Sequence, residues 1–270
     1  MPGQATSLAE ARRPSEFEVL QWEDFQVMFY KGHKQGEHVS LVGATGSGKS
    51  VCAIELCKLI GRHIAKDKRP TRVTILADKP RDDTIMRLHK RDGWPIIKKW
   101  PPNYGQEHVI VWPRGGTPTE EVKRHRAVFL PLLESIYVEG GQAVMIDEAA
   151  YFEDAPPAGL GMKGTMSKFW RAARSNRVSM IAGTQRPTHV SRLMWSEPSW
   201  LFIFTVEDDE DLKRVAQLSG RKMDVWRIVP QLGGHEFLCV RRQRDGRHSL
   251  YVSKVSDVTR GNRDNNDKGR

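Results

Sequence analysis

Short apolar runs recur along the chain, separated by polar, glycine- and proline-containing segments, and few of the runs alternate with polar residues. His38-Val39-Ser40-Leu41-Val42, Arg72-Val73-Thr74-Ile75-Leu76 and His108-Val109-Ile110-Val111-Trp112 each read as a strand. So do Ala143-Val144-Met145-Ile146, Val178-Ser179-Met180-Ile181-Ala182 and Leu201-Phe202-Ile203-Phe204-Thr205-Val206. Unbroken apolar runs are what strands covered on both faces require. Helical stretches fall between them, over residues 51–60, from Thr117 to about 138, and over 168–175 and 208–219. Strand and helix in alternation predict an α/β fold, a mainly parallel sheet with helices on both faces.

Local signals set the boundaries. Thr117-Pro118-Thr119-Glu120 carries a capping threonine, a proline suited to the first turn and a glutamate that completes a capping box. Gly140-Gly141 ends that helix, and Pro131 inside it predicts a kink or two shorter helices. Residues 17–22 and 25–30 read as two strands of a short N-terminal β-element, and 236–240 with 249–252 as a C-terminal β-hairpin. Residues 79–105, rich in Trp, Pro and Lys, give no clear period. The polar ends, 1–14 and 257–270, are expected to be disordered, leaving one domain over 15–256.

Composition narrows the class. The chain has 270 residues, 39% of them hydrophobic, enough for one large core. It has no apolar run of about 18 residues to span a membrane. Its first residues lack the apolar core of a secretory signal, so a cytoplasmic protein is expected. Cys52, Cys57 and Cys239 have no metal-binding spacing and read as small buried residues. The formal net charge is +10 and the pI about 9.6, which points to a polyanionic partner. Basic clusters recur: Lys66-Asp67-Lys68-Arg69, Lys98-Lys99-Trp100, Lys123-Arg124-His125-Arg126 and Arg241-Arg242-Gln243-Arg244. None is a base-reading motif, so phosphate contact without sequence choice is the expectation.

Three strand ends carry candidate chemistry. Gly43-Ala44-Thr45-Gly46-Ser47-Gly48-Lys49-Ser50 fits the pattern G-x-x-x-x-G-K-[ST], placed between a strand and a helix as a phosphate-binding loop must be. Its glycines let consecutive N–H groups turn inward on phosphate oxygens, and the helix N-terminus adds partial positive charge. Lys49 would reach the β- and γ-phosphates of ATP, and Ser50 would hold Mg²⁺. The strand 143–146 ends in Asp147-Glu148, a Walker B pattern. There Asp147 can hold Mg²⁺ and Glu148 can activate a water; the second acid fits a hydrolase better than a kinase. The strand 178–182 runs into Gly183-Thr184-Gln185-Arg186-Pro187, where Gln185 can address the γ-phosphate or serve only as a turn residue. In a parallel sheet that strand would neighbour the one before the loop.

These segments together resemble the HerA–FtsK superfamily of P-loop ATPases of the ASCE type, over roughly residues 36–206. The Thr-Gln-Arg-Pro step is the most family-specific part, and Asp78-Lys79-Pro80 is similar to a strand-end segment of that superfamily. The resemblance implies an ATP-hydrolysing motor that translocates double-stranded DNA without sequence choice, built as a homo-oligomeric ring. A viral genome-packaging ATPase or a plasmid-transfer translocase is the implied setting, with a portal or transfer-complex protein as a further partner. It also implies an arginine finger given to a neighbouring subunit, Arg174 first, with Arg177 and Arg171 as alternatives. The stretch 159–164, with Lys163, is a candidate pore loop or a passive connection. The membrane helices and winged helix of FtsK proteins have no counterpart here. The alternative reading is an assembly or secretion-type ATPase that does not move DNA.

Overall fold

The computed structural model describes residues 17–64, 70–99, 107–243 and 245–256. The two polar ends, the Lys66–Arg69 cluster, Trp100 and Arg244 lie outside the described residues. The strands are β1 (Glu18–Val19), β2 (Val39–Val42), β3 (Arg72–Leu76), β4 (Ile96–Ile97), β5 (His108–Val111), β6 (Gln142–Ile146), β7 (Ser179–Thr184), β8 (Trp200–Ile203), β9 (Glu236–Arg242) and β10 (His248–Lys254). The helices are α1 (Trp22–Gly32), α2 (Lys49–Gly61), α3 (Asp83–Asp92), α4 (Pro118–Glu139), α5 (Ala149–Glu153), α6 (Lys163–Ala172), α7 (Leu193–Ser196), α8 (Asp209–Leu218) and α9 (Lys222–Ile228).

All ten strands form one sheet in the order β1-β10-β9-β8-β2-β7-β6-β3-β5-β4. From β8 to β4 the neighbours are parallel, while β9 and β10 add an antiparallel hairpin at one side. Side chains of each central strand part to two cores, one on each face. Leu41, Met145, Ile181 and Phe202 face the core under α1, α2 and α3. Val42, Val144, Ala182 and Ile203 face the core under α4 and α6 to α9. A strand with both faces buried favours apolar residues on either side, which is why these runs do not alternate, and the buried Ser40 of β2 donates its hydroxyl to the Met194 carbonyl at 2.6 Å. Among the described residues no helix is long and apolar enough to cross a membrane.

One expectation is corrected, and of the two readings at Pro131 the pair of shorter helices is set aside. Residues 25–30 are not a strand but the middle of α1. A strand would set Phe25, Val27 and Phe29 on one face, yet Phe25 and Phe29 are fully buried while Val27 is 52% exposed. The helical spacing of Trp22, Phe25 and Phe29 instead aims three aromatic rings at the sheet. Phe25 meets Phe237 at 4.9 Å and Phe29 meets Trp200 at 4.8 Å between ring centroids. α4 runs through Pro131 as one helix, with the expected capping box at Thr117 and Glu120. An interior proline costs about 3 kcal/mol. Burying Phe129, Leu132, Leu133 and Ile136 on the same helix face, at about 1.5–3 kcal/mol each, outweighs that cost.

α3 occupies the stretch that showed no period in the sequence. Asp82 caps it by accepting from the Thr84 and Ile85 N–H groups, and Gly93 closes it in a left-handed conformation.

Candidate functional site

β2 and β7 pair in parallel, with Val42 opposite Thr184, and β7 pairs with β6 on its other side. The carboxyl ends of β2, β7 and β6 therefore lie side by side, and the three sequence motifs follow those ends directly. The loop of residues 43–50 is fastened between strand ends. The Ala44 N–H donates to the Thr205 carbonyl at 2.9 Å, just beyond β8, and the Gly43 N–H to the Thr184 carbonyl at 3.4 Å. Gly43 is required by close approach, since a Cβ there would lie 2.5 Å from Cβ of Phe204. Gly48, with φ +99°, makes the left-handed turn that opens α2.

Side chains from all three motifs meet across this turn. Ser50 Oγ donates to Asp147 Oδ1 at 2.6 Å. Thr45 Oγ1 donates to Gln185 Oε1 at 2.7 Å. Glu148 accepts from the Thr184 hydroxyl at 2.7 Å and from the Gln185 N–H at 3.0 Å, so the end of β7 holds its carboxylate in place. Lys49 is buried, its Nζ donating to the Ala44 carbonyl at 3.1 Å.

Electrostatics reflect this crowding. Burial pushes Glu148 above the usual carboxylate range, and its three hydrogen bonds and Lys49 only partly offset that. Asp78 is pushed up to about 7, first by burial and then by the charge of Asp147. Burial lowers Lys49, against the pull of Asp147 and Glu148. Burial would lower Lys79 as well, but the adjoining Asp147 carboxylate prevails and leaves it raised.

Of the residues picked from sequence, Thr45, Lys49, Ser50, Asp147, Glu148 and Gln185 come together. Arg171, Arg174 and Arg177 do not join them. They are exposed at the opposite, amino end of β7. There a Cβ on Gly36 would come within 2.9 Å of the Arg174 carbonyl, so Arg174 packs where β2 begins. Six-residue β7 separates them from Gln185 by roughly 20 Å, beyond the reach of an arginine side chain. The stretch 159–164 is not a free loop. Leu160 and Met162 are buried, and their N–H groups donate to the Tyr151 and Phe152 carbonyls at 2.8 Å each. Lys163 is exposed at the start of α6.

Sequence reasoning left Lys79 and Asp78 out of the site, although their strand-end segment stood out. Lys79 forms an ion pair with Asp147 Oδ2, and Trp112 Nε1 fixes its backbone by donating to the Lys79 carbonyl at 2.7 Å. Lys79 therefore sits on the Asp147 oxygen that Ser50 leaves free. Thr184, which orients Glu148, was likewise not singled out.

The arrangement can be set beside known proteins. No family model matches the sequence, and no curated protein sequence matches it. Solved structures do match in fold. The genome packaging NTPase B204 from Sulfolobus turreted icosahedral virus 2, in complex with AMPPCP, is 15% identical, with a TM-score of 0.58 over 83% of this chain and 100% of that one. VirB4 of Thermoanaerobacter pseudethanolicus is 10% identical, with a TM-score of 0.59 over 83% of this chain and 90% of that one. The cytoplasmic domain of the Thermomonospora curvata type VII secretion ATPase EccC is 15% identical, with a TM-score of 0.51 over 81% of this chain and 25% of that one. The chain shares the fold of these proteins. The 43–50 loop stands at the carboxyl end of β2, where parallel sheets of this kind take their ligands.

Proposed function

We propose that this chain is an ATP-hydrolysing motor that translocates double-stranded DNA, as a viral genome-packaging ATPase or a plasmid-transfer translocase. The observation that carries the proposal is the convergence of Ser50 on Asp147 and of Thr45 on Gln185, with Glu148 held at the same strand end. The N–H groups of residues 43–50 and the Lys49 ammonium take the phosphates of ATP. Ser50 and Asp147 fit Mg²⁺, because the ion prefers hard oxygens and needs few protein ligands when phosphates and water complete its shell. Bound there, it neutralises charge on the β- and γ-phosphates.

Glu148 lies one residue beyond Asp147 and takes a proton from the attacking water. Its raised pKa makes it a stronger base than an exposed glutamate, provided the pH leaves it ionised. Gln185 can report the γ-phosphate, since its amide oxygen is held by Thr45 inside the loop and its N–H by Glu148. In a ring, an arginine offered by one copy would complete the site of the next. Arg174 of one copy, exposed at the amino end of β7, would serve the site of the next.

The basic surface and the likeness to a packaging NTPase support DNA as the substrate. The likeness to VirB4 and to a secretion ATPase supports the alternative, ATP hydrolysis that drives assembly or secretion without moving DNA. Double-stranded DNA separates the two readings. A translocase binds unrelated sequences alike, and its ATPase rate rises with DNA. With 6–10 phosphate contacts, affinity should fall about 10³- to 10⁵-fold between 50 and 200 mM salt. Absence of DNA stimulation together with a flat salt dependence would favour the alternative.

A further inference from the structure

From residue 155 to residue 196 the chain has no Asp or Glu. α6 lies in that stretch and buries Met166, Phe169 and Trp170 in one of the two cores. Its other face is exposed and carries Lys163, Lys168 and Arg171, with exposed Arg174 and Arg177 just beyond its end. None of these cations forms an ion pair among the described residues. The opposite charge stands at the other end of the sheet. Glu207, Asp208, Asp209 and Glu210 follow β8 into the first turn of α8, all exposed, and they too form no ion pair among the described residues. This acidic segment is tied to the candidate site from both sides. Before it, the Thr205 carbonyl accepts from the Ala44 N–H at 2.9 Å. After it, Asp211 Oδ1 accepts from the Thr188 N–H at 3.0 Å and from the Thr188 hydroxyl at 2.8 Å, just beyond Gln185.

We infer that the exposed face of α6 and the 207–210 segment are the two halves of one contact between copies of this chain, the cations of one copy seated on the acids of the next. The inference rests on the ring reading above and names the surfaces that build it. Unlike patches at opposite ends of a chain join head to tail, and head-to-tail contacts are the kind that close into rings. Complementary charge also sets the register of such a contact. It brings Arg174, next to the basic face of one copy, to the end of β8 in the next, where Thr205 holds the 43–50 loop. A DNA duplex on the α6 face is the competing occupant. It accounts for the cations but gives the acids of 207–210 no partner.

Sedimentation velocity on the full chain, with Mg²⁺ and ATP present and over a range of protein concentrations, reads the association, and a labelled duplex reads DNA binding. Wild type should associate, and less as salt screens the charges. Lys168→Glu combined with Arg171→Glu should weaken association about 100-fold, because like charges then face each other. Glu207→Lys combined with Glu210→Lys should do the same. All four positions are exposed, so the fold is not at risk, and ATP binding by each variant checks it. Mixing the two double variants rebuilds the contact, once in the native sense and once with its signs exchanged, so association should return. A chain carrying all four substitutions should associate by itself. Undiminished association in the double variants, or no recovery in the mixture and the fourfold variant, would overturn the pairing while leaving a ring of another build standing. Loss of DNA binding with association intact in Lys168→Glu, Arg171→Glu would give the α6 face to DNA and overturn it as well. A wild type that binds ATP and stays monomeric would overturn the ring reading, and this inference with it.

Discussion

The two ends of the central strands bury ionisable groups of opposite kinds. At the carboxyl ends of β3 and β6, burial raises the acids Asp78 and Glu148. At the amino end of β2, burial lowers the bases His33 and His38, to about 3 and about 4. In both places the neutral form is favoured, yet the consequences differ. The histidines are at rest when neutral: His33 Nε2 donates to the Glu37 carbonyl at 3.1 Å, and His38 Nδ1 accepts from the Met180 N–H at 3.1 Å. The acids are surrounded by partners for charge, Lys49 and Lys79 among them. A buried group without a charged partner reads as packing, whereas a buried group held among cations reads as a site under load.

The largest expected effect tests the division between the ends. Arg174→Ala should bind ATP and lose hydrolysis by about 10³- to 10⁵-fold, the worth of an arginine finger. Mixed with Lys49→Ala, which keeps its own arginine, it should regain activity, measured as phosphate release across mixing ratios. Mixed rings that form and stay inactive would confine Arg174 to the surface. Rescue that depends on Arg177 or Arg171 instead would move the finger within the same segment.

The next effect lies within the carboxyl end. Glu148→Gln keeps the hydrogen-bonding shape and loses the base, so hydrolysis should fall about 10²- to 10⁴-fold with ATP still bound. Lys49→Ala should lose hydrolysis about as much and, unlike Glu148→Gln, weaken ATP binding. Single-turnover rates and nucleotide binding, measured on both variants, separate the two roles. Normal turnover in folded Glu148→Gln would assign the base elsewhere.

These tests follow the parts of the molecule that were legible as local sequence. The glycines of residues 43–50 and the acid pair 147–148 each declare themselves within a few positions, because one backbone turn or one strand end dictates them. Gln185 was legible for the same reason. Lys79 was half-legible: its strand end stood out, but its ion pair with Asp147 depends on β3 lying beside β6. The misreading of residues 25–30 has a different origin. Aromatic residues suit strands and helix faces alike, and only the exposure of Val27 separates the two periods.

The smallest effect belongs to the amino end and involves stability alone. His33 and His38 titrate in the folded chain at about 3 and about 4, against an ordinary value of 6.5. Between those values the unfolded chain binds protons that the folded chain refuses, so stability rises with pH there. The contribution is complete above 6.5 and is lost as the pH falls toward 4, by at most about 1.4 kcal/mol per pH unit for each histidine. His38→Asn retains an acceptor for the Met180 N–H, and His33→Gln retains a donor for the Glu37 carbonyl; neither new side chain titrates in this range. Urea midpoints from pH 7 to pH 4.5 should therefore fall less steeply in each variant than in wild type, and least in the double variant. An unchanged slope in the double variant would place the acid sensitivity elsewhere. It would also remove the contrast drawn between the ends, since the amino end would then carry no buried base that matters to folding.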